Sequence, residues 1–154
     1  MTVGAGRALG CPAAPHAAMR VEKPAALENV PALLAFIDEA CKQYGLDGES
    51  AFAIRLAVDE VCVNLVRHGY AGGQGPIWID FACDANRVIV TIADRAPAFD
   101  PAHAPVPDLD KPLEERRVGG LGWHLVKHMI DHIEYRSDDD GTNRLTLVKN
   151  LRAS

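Results

Sequence analysis

The chain is 154 residues long, 48% hydrophobic and 24% charged, with a net charge of −5 at neutral pH. These values describe a single globular domain, large enough to bury roughly 68–70% of its unfolded surface. They exclude a nucleic-acid binder, since Arg116-Arg117 is the one basic cluster, and a membrane helix, since no apolar run approaches ~18–20 residues.

Residues 1–18 are rich in small residues and proline and lack the apolar stretch of a signal peptide. They read as a disordered tail, with Met19 a candidate natural start, and the ordered domain is expected over 19–152. The faint lipoprotein-like Ala8-Leu-Gly-Cys11 has no hydrophobic stretch before it and is set aside. Cys11, Cys41, Cys62 and Cys83 show no C-x-x-C spacing, which predicts free thiols in a reducing cytoplasm rather than a metal site.

A short strand is expected at Met19–Val21. Leu27, Val30, Leu33, Leu34, Phe36, Ile37 and Ala40 give a helical stripe over Ala26–Gln43, and Gly45 supplies the stop. Asp47-Gly-Glu-Ser50 is a turn that offers an N-cap to a second helix, Ala51 to about His68. In that helix Ile54, Val58, Val61 and Leu65 form a core-facing stripe. Glu60, Asn64 and His68 recur at i, i+4 and i+8 and stack on a neighbouring face. A carboxylate one turn from a carboxamide joins a proton acceptor to a hard, neutral Mg²⁺ ligand, although such a pair on a helix is also a common solvated face.

Gly69–Pro76 breaks the helix, and two strands, Ile77–Cys83 and Val88–Ala93, follow around a short turn at 84–87. Between Arg95 and Val118 periodicity is lost. Five of the ten prolines (Pro97, Pro101, Pro105, Pro107 and Pro112) lie there, which predicts a lid over about 95–118. Gly119-Gly-Leu-Gly122 then opens a helix, Trp123–Ile130. Strands at Ile133–Arg136 and Leu145–Val148 close the chain around an Asp-rich turn ending in Gly141. The order predicts an α+β two-layer sandwich with a mostly antiparallel sheet.

Asp94 at a strand end can reach into a crevice, and glycines at a loop-to-helix junction let backbone N–H groups approach an anion. Either signal alone is weak, because a strand-end Asp is commonly a turn former and a glycine cluster commonly serves tight packing. Their order with Glu60 and Asn64 is more specific. Glu60-x-x-x-Asn64, then Asp94 with Pro97-Ala-Phe-Asp-Pro101, then Gly119-Gly-Leu-Gly-Trp-His-Leu-Val126 resemble the N, G1 and G2 boxes of the Bergerat-fold, histidine-kinase-like ATPases. Within them the chain is most similar to the bacterial anti-sigma factor serine/threonine kinases, over about residues 20–150.

The resemblance implies a Mg²⁺- and ATP-dependent kinase that phosphorylates a serine of an anti-sigma-factor antagonist by partner switching, with a sigma factor as a second partner and a homodimer left open. It implies that Glu60 is the base, that Asn64 holds Mg²⁺, and that Asp94 reads the adenine amino group. Gly119, Gly120, Leu121 and Gly122 would wrap the phosphates. Arg116 and Arg117 would approach the γ-phosphate unless they are simply solvated, and Thr142-Asn143 would lie near the adenine or form a plain turn. A non-catalytic ATP-binding module that sequesters a regulator is the rival reading. The detached ATPase domain of a sensor kinase is a third, but it lacks a phosphoacceptor histidine helix. His68 and His124 are expected to be surface or packing residues. One position departs from the family: where G1 reads Asp-x-Gly, this chain has Asp94-Arg-Ala96. Alanine tolerates left-handed backbone poorly and adds a methyl group beside the base, which predicts weakened nucleotide affinity.

Overall fold

The computed structural model describes residues 18–98 and 120–152, together with the backbone but not the side chains of 120 and 121. Strand β1 (Met19–Pro24) leads through a 3₁₀ turn (Leu27–Asn29) into helix α1 (Val30–Gln43). Helix α2 (Gly48–Asn64) continues directly into a π-helical turn (Leu65–Gly69). Then come β2 (Pro76–Cys83), β3 (Arg87–Asp94), α3 (Gly120–Met129), β4 (His132–Ser137) and β5 (Asn143–Asn150). The five described strands form one antiparallel sheet in the order β1-β2-β3-β5-β4.

Several boundaries differ from the sequence reading, each for a local reason. The first helix begins at Val30 rather than Ala26, behind a 3₁₀ turn, with Pro31 in its opening turn, where a missing N–H leaves no helical bond unmade. Gly45 ends it as expected, with φ +67. The second helix starts three residues earlier than expected because Asp47 caps it, accepting the Ser50 N–H at 2.8 Å. At its other end the residues through Gly69 are wound as a π turn. The turn adds a residue to the register, so His68 is exposed while Asn64 is buried. The third helix takes in its glycines and starts at Gly120 rather than Trp123. β1, β4 and β5 are also longer than hydrophobic alternation alone indicated, because pairing partners extend them.

The helices pack on one face of the sheet. Ile77, Ile79 and Phe81 of β2, Val88, Val90 and Ile92 of β3, and Leu145 and Leu147 of β5 point into that layer. They meet Leu33, Ile37 and Ala40 of α1, and Ile54, Val58 and Val61 of α2 with Leu65 of the π turn. The predicted stripe Ile54–Val58–Val61–Leu65 is fully buried. The opposite face holds Trp78 beside Ala93, with the Arg20 guanidinium 6.0 Å from the Trp78 ring and its Nε 3.5 Å from Asp80. Cys41 and Cys62 are buried free thiols and Cys83 is a half-buried one, whereas Cys11 lies outside the described residues. Most of the predicted lid, including Arg116 and Arg117, also lies outside them, as does Gly119. No described helix is long and apolar enough to cross a membrane.

Candidate active site

Strand pairing sets the first cluster. Asp94 ends β3 opposite Ile77 on one side and Asn143 on the other. It shares strand parity with Ile92 and Val90, so its carboxylate lies on the helix-covered face and is only 2% exposed. Two donors meet at Asp94 Oδ1: the Ala96 N–H at 2.9 Å and the Asn143 side-chain amide at 2.9 Å. The same amide nitrogen donates to the Ala96 carbonyl at 2.9 Å, and Asn143 Oδ1 accepts from the Ser137 hydroxyl at 2.7 Å. Asp94 Oδ2 has no hydrogen bond to the described residues. Burial pushes the Asp94 carboxyl up from its ordinary range, and the Asn143 and Ala96 donors pull it back.

This arrangement removes the backbone part of the expectation about Ala96. Among the described residues the one non-glycine with positive φ is Ala71, so the Asp94-Arg-Ala96 turn is made without left-handed backbone. Ala96 is 5% exposed and takes part in the turn through its N–H and its carbonyl, groups that any residue but proline supplies.

The second cluster lies where α2 meets α3. Asn64 is buried, while Glu60, one turn earlier, is half-buried. Burial, and secondly the neighbouring Asp59 charge, push the Glu60 carboxyl up from 4.5 to about 7. Gly122, in the first turn of α3, lies directly against it: a Cβ at Gly122 would overlap the Glu60 carboxylate. Gly122 is thus the point at which the glycine motif touches the carboxylate, while Gly120 forms the N-terminus of α3.

Tyr70 links the two clusters, and the sequence reading missed it. It stands just past the π turn, and its hydroxyl donates to the Pro76 carbonyl at 2.6 Å and accepts the Arg95 N–H at 2.8 Å. Burial raises the hydroxyl to about 12, so it stays protonated. The end of the Glu60/Asn64 helix is thereby fastened to the residue that follows Asp94. Thr142-Asn143 is expected from the sequence either near the adenine or in a plain turn, and Ser137 carries no signal there. Thr142 is fully buried; among the described residues its Oγ1 has no partner of proper hydrogen-bond geometry, although it lies near the Asp140 carboxylate that binds its N–H at 2.9 Å. His124 is exposed, edge-on to His128 at 5.3 Å, as a surface histidine. Among the described residues no three His, Cys, Asp or Glu side chains gather as a metal cluster.

The family model for the histidine kinase-like ATPase domain matches residues 23–149. The chain belongs to that family. It is 28% identical over 127 residues to the serine-protein kinase RsbW of Bacillus cereus, covering 80% of this chain and 79% of the relative. It is 33% identical over 98 residues to the serine/threonine-protein kinase BtrW of Bordetella bronchiseptica, covering 63% of this chain and 68% of the relative. Among solved structures, the RsbU and RsbW domains of a Mycobacterium tuberculosis protein superpose with a TM-score of 0.60 at 18% identity. That match takes in 88% of this chain and 34% of the solved one, and it speaks for the fold.

Proposed function

We propose that this chain is an ATP-dependent serine protein kinase acting by partner switching: it phosphorylates a serine of an anti-sigma-factor antagonist and sequesters a sigma factor in the alternate state. The observation that carries the reading is Glu60, a carboxylate raised to about 7 and held against Gly122, one helical turn from a buried carboxamide. A base with that affinity for protons is matched to taking one from a hydroxyl near neutral pH. The names of the relatives, serine-protein kinase and serine/threonine-protein kinase, agree with it. Free cysteines suit a reducing cytoplasm.

The residues present fit the nucleotide. Asp94 Oδ2, which has no hydrogen bond to the described residues, can accept from an exocyclic amine, and the Thr142 hydroxyl is a buried polar group near the Asp140 carboxylate. The N-terminus of α3 at Gly120 favours an anion, with Gly119 before it and Leu121 and Gly122 after it in the proposed phosphate-binding turn. The Asn64 side-chain oxygen suits Mg²⁺, which commonly takes one or two protein ligands and completes its shell with phosphates and water. Bound Mg·ATP supplies the phosphoryl group and the charge neutralisation that its transfer needs. Glu60 would accept the proton of the substrate hydroxyl, Asn64 would hold the cation, Asp94 would orient the adenine, and Arg116 and Arg117 are proposed to meet the γ-phosphate.

The test is phosphotransfer from radiolabelled ATP to purified antagonist proteins. Glu60→Gln is expected to keep Mg·ATP binding and lose about 10²–10⁴-fold in rate, whereas Asn64→Ala loses binding and transfer together. Transfer by Glu60→Gln at the wild-type rate refutes the role of Glu60. A wild type that binds its partner yet transfers nothing shows a sequestering module instead.

A further inference from the structure

The Asp94 carboxylate is held from behind by a side chain outside the glycine and acidic motifs. We propose that Asn143, oriented by Ser137, determines purine selectivity by occupying one Asp94 oxygen and leaving the other as a single, fixed acceptor. The inference rests on the reading of Asp94 as the adenine contact.

The hydrogen bonds define the amide orientation. Asn143 Nδ2 faces two acceptors, Asp94 Oδ1 and the Ala96 carbonyl, both at 2.9 Å, and Asn143 Oδ1 faces the Ser137 hydroxyl at 2.7 Å. A flipped amide would set an oxygen against a carboxylate and a carbonyl and strand both. Asn143 is 1% exposed and Asp94 2%, so removing the amide leaves a buried carboxylate oxygen and a buried carbonyl short of a donor. With Oδ1 satisfied by two donors, recognition is left to Oδ2.

An ionised oxygen accepts and cannot donate. It therefore suits the 6-amino group of adenine and opposes the 6-oxo group of guanine, and a site built for a donor discriminates strongly. The selectivity lasts only while Asp94 is ionised, because a protonated Asp94 can donate to a 6-oxo group. Burial favours that protonation, and the Asn143 amide opposes it. Among the described residues the charged and titratable groups around Asp94 are few. β2 presents Ile77, the segment after the π turn presents the Tyr70 hydroxyl, held at about 12, and the next residue is Arg95, whose guanidinium donates to the Asp140 carbonyl at 3.2 Å. Asp140 is held below the ordinary carboxylate range by the Thr142 N–H.

The experiment measures ADP and GDP binding by calorimetry on the full chain from pH 5 to 8, with thermal melts alongside. Asn143→Leu removes the donor at similar volume, and Ser137→Ala removes only the group that orients it. Asn143→Leu is expected to weaken ADP about 10–100-fold, as for a lost hydrogen bond to a charged group, with GDP changing much less, so the ADP-to-GDP preference collapses. The acidic limb of ADP binding moves to higher pH. Ser137→Ala shows the same signature at roughly 3–10-fold, and it serves if Asn143→Leu does not fold. A merely structural role lowers both affinities and the melting temperature together and leaves the limb where it was; that result, or unchanged preference in both variants, overturns the proposal. Asp94→Asn separates the two readings. If it loses ADP while the Asn143 and Ser137 variants keep their preference, only the present inference fails; if it binds ADP as wild type does, the adenine role of Asp94 fails and this inference with it.

Discussion

Replacing Gly122 with alanine separates position from stability. The added methyl group would overlap the Glu60 carboxylate and come within 3.2 Å of its Cγ. One of the two groups must move, and Glu60, the end of a flexible side chain, is the softer. Swinging it costs about 0.5–1.5 kcal/mol of rotamer energy, offset by up to ~1 kcal/mol of helix propensity gained on replacing glycine. Stability should therefore change by less than about 1 kcal/mol. Phosphotransfer should fall about 10²-fold or more, the cost of displacing a reacting group by an ångström. The displaced carboxylate also enters water and loses the burial that raises it to about 7, so the basic group in the residual activity should titrate nearer its ordinary 4.5. The assay is initial-rate phosphotransfer from pH 5 to 9 together with a thermal melt. A variant with the wild-type rate and an unmoved pH limb would refute the contact as the determinant of Glu60. A melt several degrees lower would show that α3 yields instead.

Glu60→Gln should also alter the pH dependence of stability. A carboxyl whose folded pKa is raised contributes stability below its unfolded value and loses it as pH climbs toward about 7. The melting temperature of the variant relative to wild type should therefore rise between pH 4.5 and 8, and a constant difference contradicts the burial of this group. Asp94→Asn should weaken ADP by about 1–3 kcal/mol in calorimetry while inorganic phosphate binding is unchanged; equal loss of both would place Asp94 elsewhere. Tyr70→Phe keeps the ring and strands the Arg95 N–H and Pro76 carbonyl, so chemical denaturation should show a loss of about 1–3 kcal/mol. Gly75→Ala would drive a Cβ into the Tyr70 ring, which cannot swing aside as Glu60 can, and should cost about 1–3 kcal/mol as overpacking. Unchanged denaturation midpoints in both variants would argue against the tether.

The sequence by itself carried whatever local periodicity and local chemistry encode. The stripe from Ile54 to Leu65, the Asp47 cap, the Gly45 stop and the alternation in β2 and β3 each depend on residues within a turn or two. They were therefore legible without the fold. Glu60 and Asn64 were legible as a pair because their spacing lies on one helix, and Asp94 as a strand-end carboxylate; joining the three into one nucleotide site came from the order of motifs along the chain and the family they resemble. What only the tertiary structure decided lies between elements. Asn143 reaches Asp94, and Ser137 reaches Asn143, because β5 pairs with β3 and with β4, a register that no single segment encodes. The π turn that turns His68 outward, and the Tyr70 tether across to Arg95, arise where a helix end must meet a strand end. The raised Glu60 carboxyl belongs to the seam between α2 and α3, since burial is produced by neighbours distant in sequence. Ala96 shows the converse: the family pattern predicted strain at that residue, and the backbone of this chain makes the turn without it.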